Sequence, residues 1–252
     1  MADKKEFKFP SEVVDLPSGG KVYGKDSPLV SGKLEIKYMT AKEEDILTSQ
    51  NLIKKGIVIE KLLDSLILTD GVKVNDLILG DKNAVMVASR ILAYGSEYTV
   101  ELENKYTGDK FDHTFNLTDC PFKVLPEDID YSTGEFDFEL PVSKVKVKFK
   151  LITGHEENKI DAEVKRTKKY GTSSEITSRL RNIITEIDGN REQDFINEFV
   201  QNMLSRDSLA LREYLIKVTP DIELKQEVEM EGELVEVDIP LTANFFWPTT
   251  NR

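Results

Sequence analysis

Tyr38-Met-Thr-Ala-Lys-Glu-Glu-Asp-Ile-Leu-Thr-Ser-Gln-Asn-Leu-Ile-Lys-Lys-Gly56 reads as the end of a strand running into a helix. Upstream, Lys33-Leu-Glu-Ile-Lys-Tyr38 alternates apolar and polar residues, as a half-buried strand does. Thr40 sits where an N-cap belongs and Glu43 follows three residues on, which predicts a capping box. Glu43, Glu44 and Asp45 put negative charge in the first turn, where the helix dipole favours it. Gly56 supplies the stop. The same design returns in Val145-Lys-Val-Lys-Phe-Lys-Leu-Ile-Thr-Gly-His-Glu-Glu-Asn-Lys-Ile160. Thr153, Glu156 and Glu157 each follow Thr40, Glu43 and Glu44 by 113 positions. That constant offset predicts an α+β chain of two similar halves, an internal duplication, each half a strand, a helical cluster and a closing antiparallel β-hairpin.

Composition narrows the class. The chain has 252 residues, 39% hydrophobic and 32% charged, which suits a soluble globular protein. No apolar run approaches the ~20 residues of a membrane helix, and Met1-Ala-Asp-Lys-Lys-Glu6 lacks the apolar core of a signal peptide. Cytoplasmic synthesis without a membrane partner is the expectation. Cys120 is the single cysteine, so neither an intrachain disulfide nor a thiolate metal cluster can form. A net charge of −12 argues against nucleic-acid binding, which needs clustered Lys and Arg. The runs Lys165 to Lys169 and Lys144 to Lys150 read as solvated faces.

Residues 1–32 are punctuated by Pro and Gly and read as an extended lead-in, with Phe7 and Phe9 among the side chains able to anchor it on its own or a partner's surface. The first repeat, 33–134, then holds the Thr40 helix, a buried helix over Ile57 to Ile67, and a helix over Lys82 to Tyr94 that Asp81 can cap. A hairpin of Tyr98–Glu103 and Phe111–Leu117 turns at Gly108-Asp109. The second repeat, 135–243, opens with a hairpin around Pro141 and continues with a helix over His155 to Tyr170. Glu175 to Ile187 begins with helical spacing and ends β-branched, leaving helix and strand both open. Helices follow over Arg191 to Leu204 and Leu209 to Lys217, the latter capped by Asp207 or Ser208. A last hairpin turns at Glu231-Gly232, and 244–252 form an aromatic tail.

Chemistry is sparse. His113 and His155 have no metal-ligand spacing, no Gly-rich loop has phosphate-binding form, and no nucleophile elbow occurs. No catalytic residue, cofactor or metal is expected. The one enzymatic alternative is a small hydrolase using Glu43, Glu44 and Asp45, although capping accounts for those carboxylates. His155 falls in a first helical turn at the surface, and His113 on a strand where exposure is expected. Phe245, Phe246 and Trp247, followed by Pro248, either fold back over the closing hairpin or dock on a partner.

Several stretches together resemble a known family: Leu16-Pro-Ser-Gly-Gly-Lys-Val-Tyr23, Met39 to Ser49 with Asn51 to Gly56, Leu79-Gly-Asp-Lys-Asn-Ala84, Tyr94-Gly-Ser-Glu-Tyr98, Arg206 to Tyr214, and Phe245-Phe-Trp-Pro248. They are similar to the baseplate hub assembly proteins of T4-like contractile-tailed bacteriophages. The resemblance implies a non-enzymatic hub subunit or hub assembly factor. Its partners would be other tail baseplate hub proteins, met in the host cytoplasm during assembly and, for a permanent subunit, kept in the virion. Many relatives carry a Cys-Pro-x-Cys-like pair in the first hairpin. Residues 103–112 contain no cysteine here, so Gly108-Asp109 must turn that hairpin alone.

Overall fold

Strand β1 (Ser11–Asp15) lies antiparallel on β2 (Lys33–Lys37), with Asp15 opposite Lys33 and Glu12 opposite Ile36. The computed structural model describes residues 10–168, 174–241 and 243–247. Leu34 and Ile36 alternate with exposed Lys33 and Glu35, so β2 buries one face completely. The chain then enters α1 (Ala41–Thr48), α2 (Gln50–Lys55) and α3 (Val58–Leu66). Gly56 closes α2 at φ 71°, a left-handed conformation that a Cβ would disfavour. Leu62, Leu63 and Leu66 of α3 are fully buried in one apolar cluster with Leu34 and Ile36, and Ile67 returns to bridge Ile36. A 3₁₀ turn (Val74–Asp76), the long α4 (Leu79–Tyr94) and the hairpin β3 (Glu97–Glu103)–β4 (Lys110–Asn116) complete this half.

The chain continues into a second set of strands and helices. Strand β5 (Phe136–Glu139) pairs with β6 (Lys146–Phe149), Glu139 facing Lys146 and Phe136 facing Phe149. Helix α5 (Gly154–Lys168) follows, then α6 (Glu175–Ile183) and β7 (Ile184–Ile187), whose Ile184 lies opposite Phe149 as Ile67 lies opposite Ile36. The undecided stretch from Glu175 to Ile187 is thus both things, helix to Ile183 and strand thereafter. Helices α7 (Gln193–Asn202) and α8 (Ser205–Val218) lead to the hairpin β8 (Lys225–Met230)–β9 (Glu233–Asp238). Its turn has positive φ at Glu231 and Gly232, the geometry that matches the twist of the paired strands.

Buried apolar side chains form two clusters. The second gathers β5, β6, β7 and α5–α8, with Phe149 and Leu211 at full burial. The first gathers β2, α1, α3, α4 and the β3–β4 hairpin, but also Val228, Met230, Phe245 and Phe246 from the far end of the chain. Tyr98 Oη donates to the Pro240 carbonyl at 3.1 Å, and Phe122 bridges Ile222. The closing hairpin therefore packs with the first half. Between the clusters, Leu79 N–H donates to Ile152 O at 3.1 Å and Gly154 N–H to Leu77 O at 3.1 Å. Gly80 approaches Pro220 so closely that a Cβ would lie 1.8 Å from its carbonyl oxygen.

Several local expectations need correction. The helix expected to run unbroken to Gly56 bends at Ser49, whose ψ of 104° is extended; the adjacent Thr48 hydroxyl bonds back to Glu44 O at 3.1 Å, the kind of local bond that competes with helix. Asp81 and Asp207 do not cap their helices. Ile78 and Leu204 hold the N-cap positions, and both carboxylates turn instead toward the loops after β1 and β5. His113 is partly buried against the edge of Phe115 at 4.7 Å, because residues two apart on a strand share a face. His155 stands at the surface, 3.0 Å from Asp76 Oδ1. The stretch read as a lead-in contains β1 from residue 11 onward.

Candidate functional site

The carboxylates Glu43, Glu44 and Asp45 diverge. Glu43 is fully buried and takes three bonds to its own strand and cap: Lys37 Nζ at 2.7 Å, Thr40 N–H at 2.9 Å and Thr40 Oγ1 at 2.6 Å. Burial pushes its pKa up, but those hydrogen bonds outweigh burial and hold it below the usual carboxylate range. Glu44 and Asp45 point to solvent. With one carboxylate spent on the cap and two solvated, no acid–base pair faces a shared cleft, and the hydrolase alternative finds no support. Glu156 repeats Glu43: Lys150 Nζ lies at 2.8 Å, Thr153 N–H at 3.1 Å, and the Thr153 hydroxyl also donates to it. Here too burial raises the pKa while hydrogen bonds from Lys150 and Thr153 dominate, leaving it at about 2.

The two buried aspartates are also placed alike. Asp81, fully buried, accepts from Ser18 N–H at 2.9 Å, Ser18 Oγ at 2.7 Å and Tyr23 Oη at 2.6 Å. Asp207, equally inaccessible, accepts from Val142 N–H at 2.7 Å and Ser143 N–H at 3.0 Å. Each ties the first turn of a helix to the Leu-Pro loop that follows the first strand of its half. Burial raises the Asp81 pKa against the bonds from Ser18 and Tyr23, and burial beside Asp81 drives the Tyr23 phenol far up. These are anchors, already saturated by the chain's own donors.

The terminal aromatics are largely internal. Phe245 and Phe246 are buried in the first core cluster, and Trp247 is partly buried against it. Phe245 meets Tyr98 edge-to-face at 5.0 Å and Phe246 at 5.3 Å. Arg90, only 4% exposed, donates from Nε to Phe245 O at 2.9 Å, from Nη1 to Gly95 O at 3.0 Å and from Nη2 to Glu97 O at 3.1 Å. Its charge also lies over Tyr94 and Tyr98, 5.2 and 5.9 Å from the ring centres. In the sequence Arg90 is no more than an arginine on the helix before the first hairpin. Phe7, Phe9 and Pro248 lie outside the described residues.

Two of the clefts among the described residues bear on a site. One, of about 540 Å³, lies between the loop from Gly19 to Val30 and the segment from Leu125 to Ser132. The other, of about 660 Å³, is polar and lies between α5, α6, β7 and α7. Cys120 is buried, accepts from Gln226 Nε2 at 3.6 Å, and has its pKa raised by that burial. Among the described residues no group of three His, Cys, Asp or Glu side chains is placed to hold a metal ion, and no helix is long and apolar enough to cross a membrane. A family model described as T4 bacteriophage base plate protein matches residues 9–247. No curated protein and no solved structure matches the chain.

Proposed function

The chain belongs to the T4 bacteriophage base plate protein family, and from that premise we propose that it is a non-enzymatic protein of the tail baseplate hub, a hub subunit or hub assembly factor that works through protein–protein contacts. The observation that carries this reading is the extent of the family match, which spans both halves and runs through Trp247. The dispersal of Glu43, Glu44 and Asp45 into a cap and two solvated side chains supports a binding role over a catalytic one. We assign partner contact to Phe7 and Phe9 at one end of the chain and to Trp247 and Pro248 at the other. Phe245 and Phe246 hold that second end in place from inside the core.

The matched strand registers, the paired Thr-Glu-Lys caps and the paired buried aspartates support a second proposal. Repeats 33–134 and 135–243 descend from one duplicated unit, flanked by 1–32 and 244–252, with β1 in the leading segment as the counterpart of β5.

Affinity capture tests the function. Tagged full-length protein, expressed during infection, is expected to retain other hub proteins from the host cytoplasm, identified by mass spectrometry. A folded chain that retains no tail protein overturns the hub reading. Mass spectrometry of purified virions separates the two roles: stoichiometric presence marks a hub subunit, and absence from virions together with capture in cells marks an assembly factor.

A further inference from the structure

We infer that the polar cleft between α5, α6, β7 and α7 is a docking site for a carboxylate-rich segment of a partner protein. Five cationic side chains line it against two acidic ones, in a chain whose net charge is −12. Most of the cations are held in place by ion pairs. Lys150 meets Glu156, Arg181 meets Glu163, and Arg191 meets Glu186 at 2.8 Å and Glu135 at 2.9 Å. Lys159 and Arg166 are different. They lie seven residues apart on one face of α5, are exposed, and form no ion pair among the described residues. The Gln193 amide in the cleft is spent on Arg181 O and Asn197 Oδ1, and the Asn182 amide gives one proton to Ser178 O, which leaves protons of the Asn182 and Asn197 amides as further donors. Fixed guanidinium groups beside two uncommitted cations and amide donors form a carboxylate-binding arrangement.

The fold itself does not require this charge. In the first half, helices α1 and α2 cover the positions that α5 covers in the second, and the strand–cap unit Lys37-Thr40-Glu43 repeats Lys150-Thr153-Glu156. Counting from those caps, Ile46 and Ile53 stand where Lys159 and Arg166 stand. Leu68, next to the Ile67 bridge, stands where Thr185 follows Ile184. The corresponding positions of the first half are thus built with apolar residues, so the charges of Lys159 and Arg166 are not needed to hold the strand–cap–helix unit together. Charge complementarity selects an acidic segment as the occupant.

The identity of the partner rests on the hub reading, but the cleft can be tested without it. The purified full-length chain is titrated into a fluorescein-labelled glutamate decamer, a glutamine decamer and a single-stranded DNA decamer, with fluorescence anisotropy as the readout. The variant is Lys159→Gln/Arg166→Gln, which removes both charges while keeping a polar side chain of similar helix propensity. Expected are saturable binding of the glutamate decamer at low salt, weakening as salt rises, no binding of the glutamine decamer, and at least tenfold weaker binding by the variant at an unchanged Tm. A second pair, Lys54→Gln/Lys55→Gln on α2, controls for general charge and is expected to bind like the parent. Equal binding by the cleft variant and the parent overturns the proposal, as does no glutamate binding at all or tighter binding of DNA than of the glutamate decamer. Capture of hub proteins from infected cells remains a separate readout: the hub reading fails if the parent captures none, whatever the peptide does.

Discussion

Glu156→Gln isolates the charge in the second cap while keeping its shape. The glutamate side chain is 13% exposed and bonds Lys150 and Thr153 at once. A shift from 4.5 to about 2 corresponds to about 3 kcal/mol if the whole shift reports native-state interaction. Lys150 is 38% exposed, so solvent screens part of that, and a loss of about 1–2 kcal/mol at pH 7 is expected. The sign follows from the direction of the shift. A carboxylate with a depressed native pKa contributes stability that is complete above the unfolded value and is lost as pH falls through the folded one. The gap between parent and variant is therefore flat above about pH 5.5 and, for a gap of that size, shrinks to less than about a quarter of its full value at pH 3. Urea unfolding followed by far-UV circular dichroism at both pH values measures it. A gap of equal size at pH 7 and pH 3, or one below about 0.3 kcal/mol at pH 7, refutes the reasoning, because the charge would then not be what stabilises the turn.

Phe246→Ala empties a fully buried ring site and is expected to cost about 3–5 kcal/mol in urea midpoint analysis; truncation after Ala243 should cost at least as much, so a truncated chain that loses its partners must first be shown to fold. Gly80→Ala drives a Cβ into the Pro220 carbonyl and is expected to lower stability by at least about 1–3 kcal/mol, read as a fall in Tm by calorimetry. Asp81→Ala strips partners from the buried Ser18 amide and hydroxyl and is expected to cost about 1–3 kcal/mol, measured by the same denaturation. Cys120, buried and with a raised pKa, should react with a thiol reagent orders of magnitude more slowly in the native protein than in denaturant, as absorbance at pH 8 will record.

Much of the local structure was legible in the residues because it is written in short-range chemistry. Alternation marked β2, β6 and the hairpin strands, and Thr40-Glu43 and Thr153-Glu156 marked the caps, since each bond in them spans only three residues. The 113-residue offset relates the two caps in the sequence, and in the structure each cap carries the same Lys-Thr-Glu bonds. Asp81 and Asp207 were misread for the opposite reason: an aspartate near a helix start looks like a cap, and only the fold brings Ser18 or Val142 within its reach, 63 and 65 residues away.

What the sequence alone determined is therefore most of the helices and hairpin strands and their order, but not β1 within the lead-in, the break between α1 and α2, or the change from helix to strand at Ile184. Tertiary structure decided which surfaces those elements share. By chain order, β8, β9 and the terminal aromatics belong to the second half, yet Val228, Met230, Phe245 and Phe246 complete the first core, held there by Arg90 and Tyr98. Likewise, Lys159, Arg166, Arg181 and Arg191 are scattered residues on separate elements until α5, α6 and α7 set them around one cleft. Periodicity says which face of an element is apolar. It does not say which of two apolar faces will cover it, because that depends on contacts spanning the length of the chain.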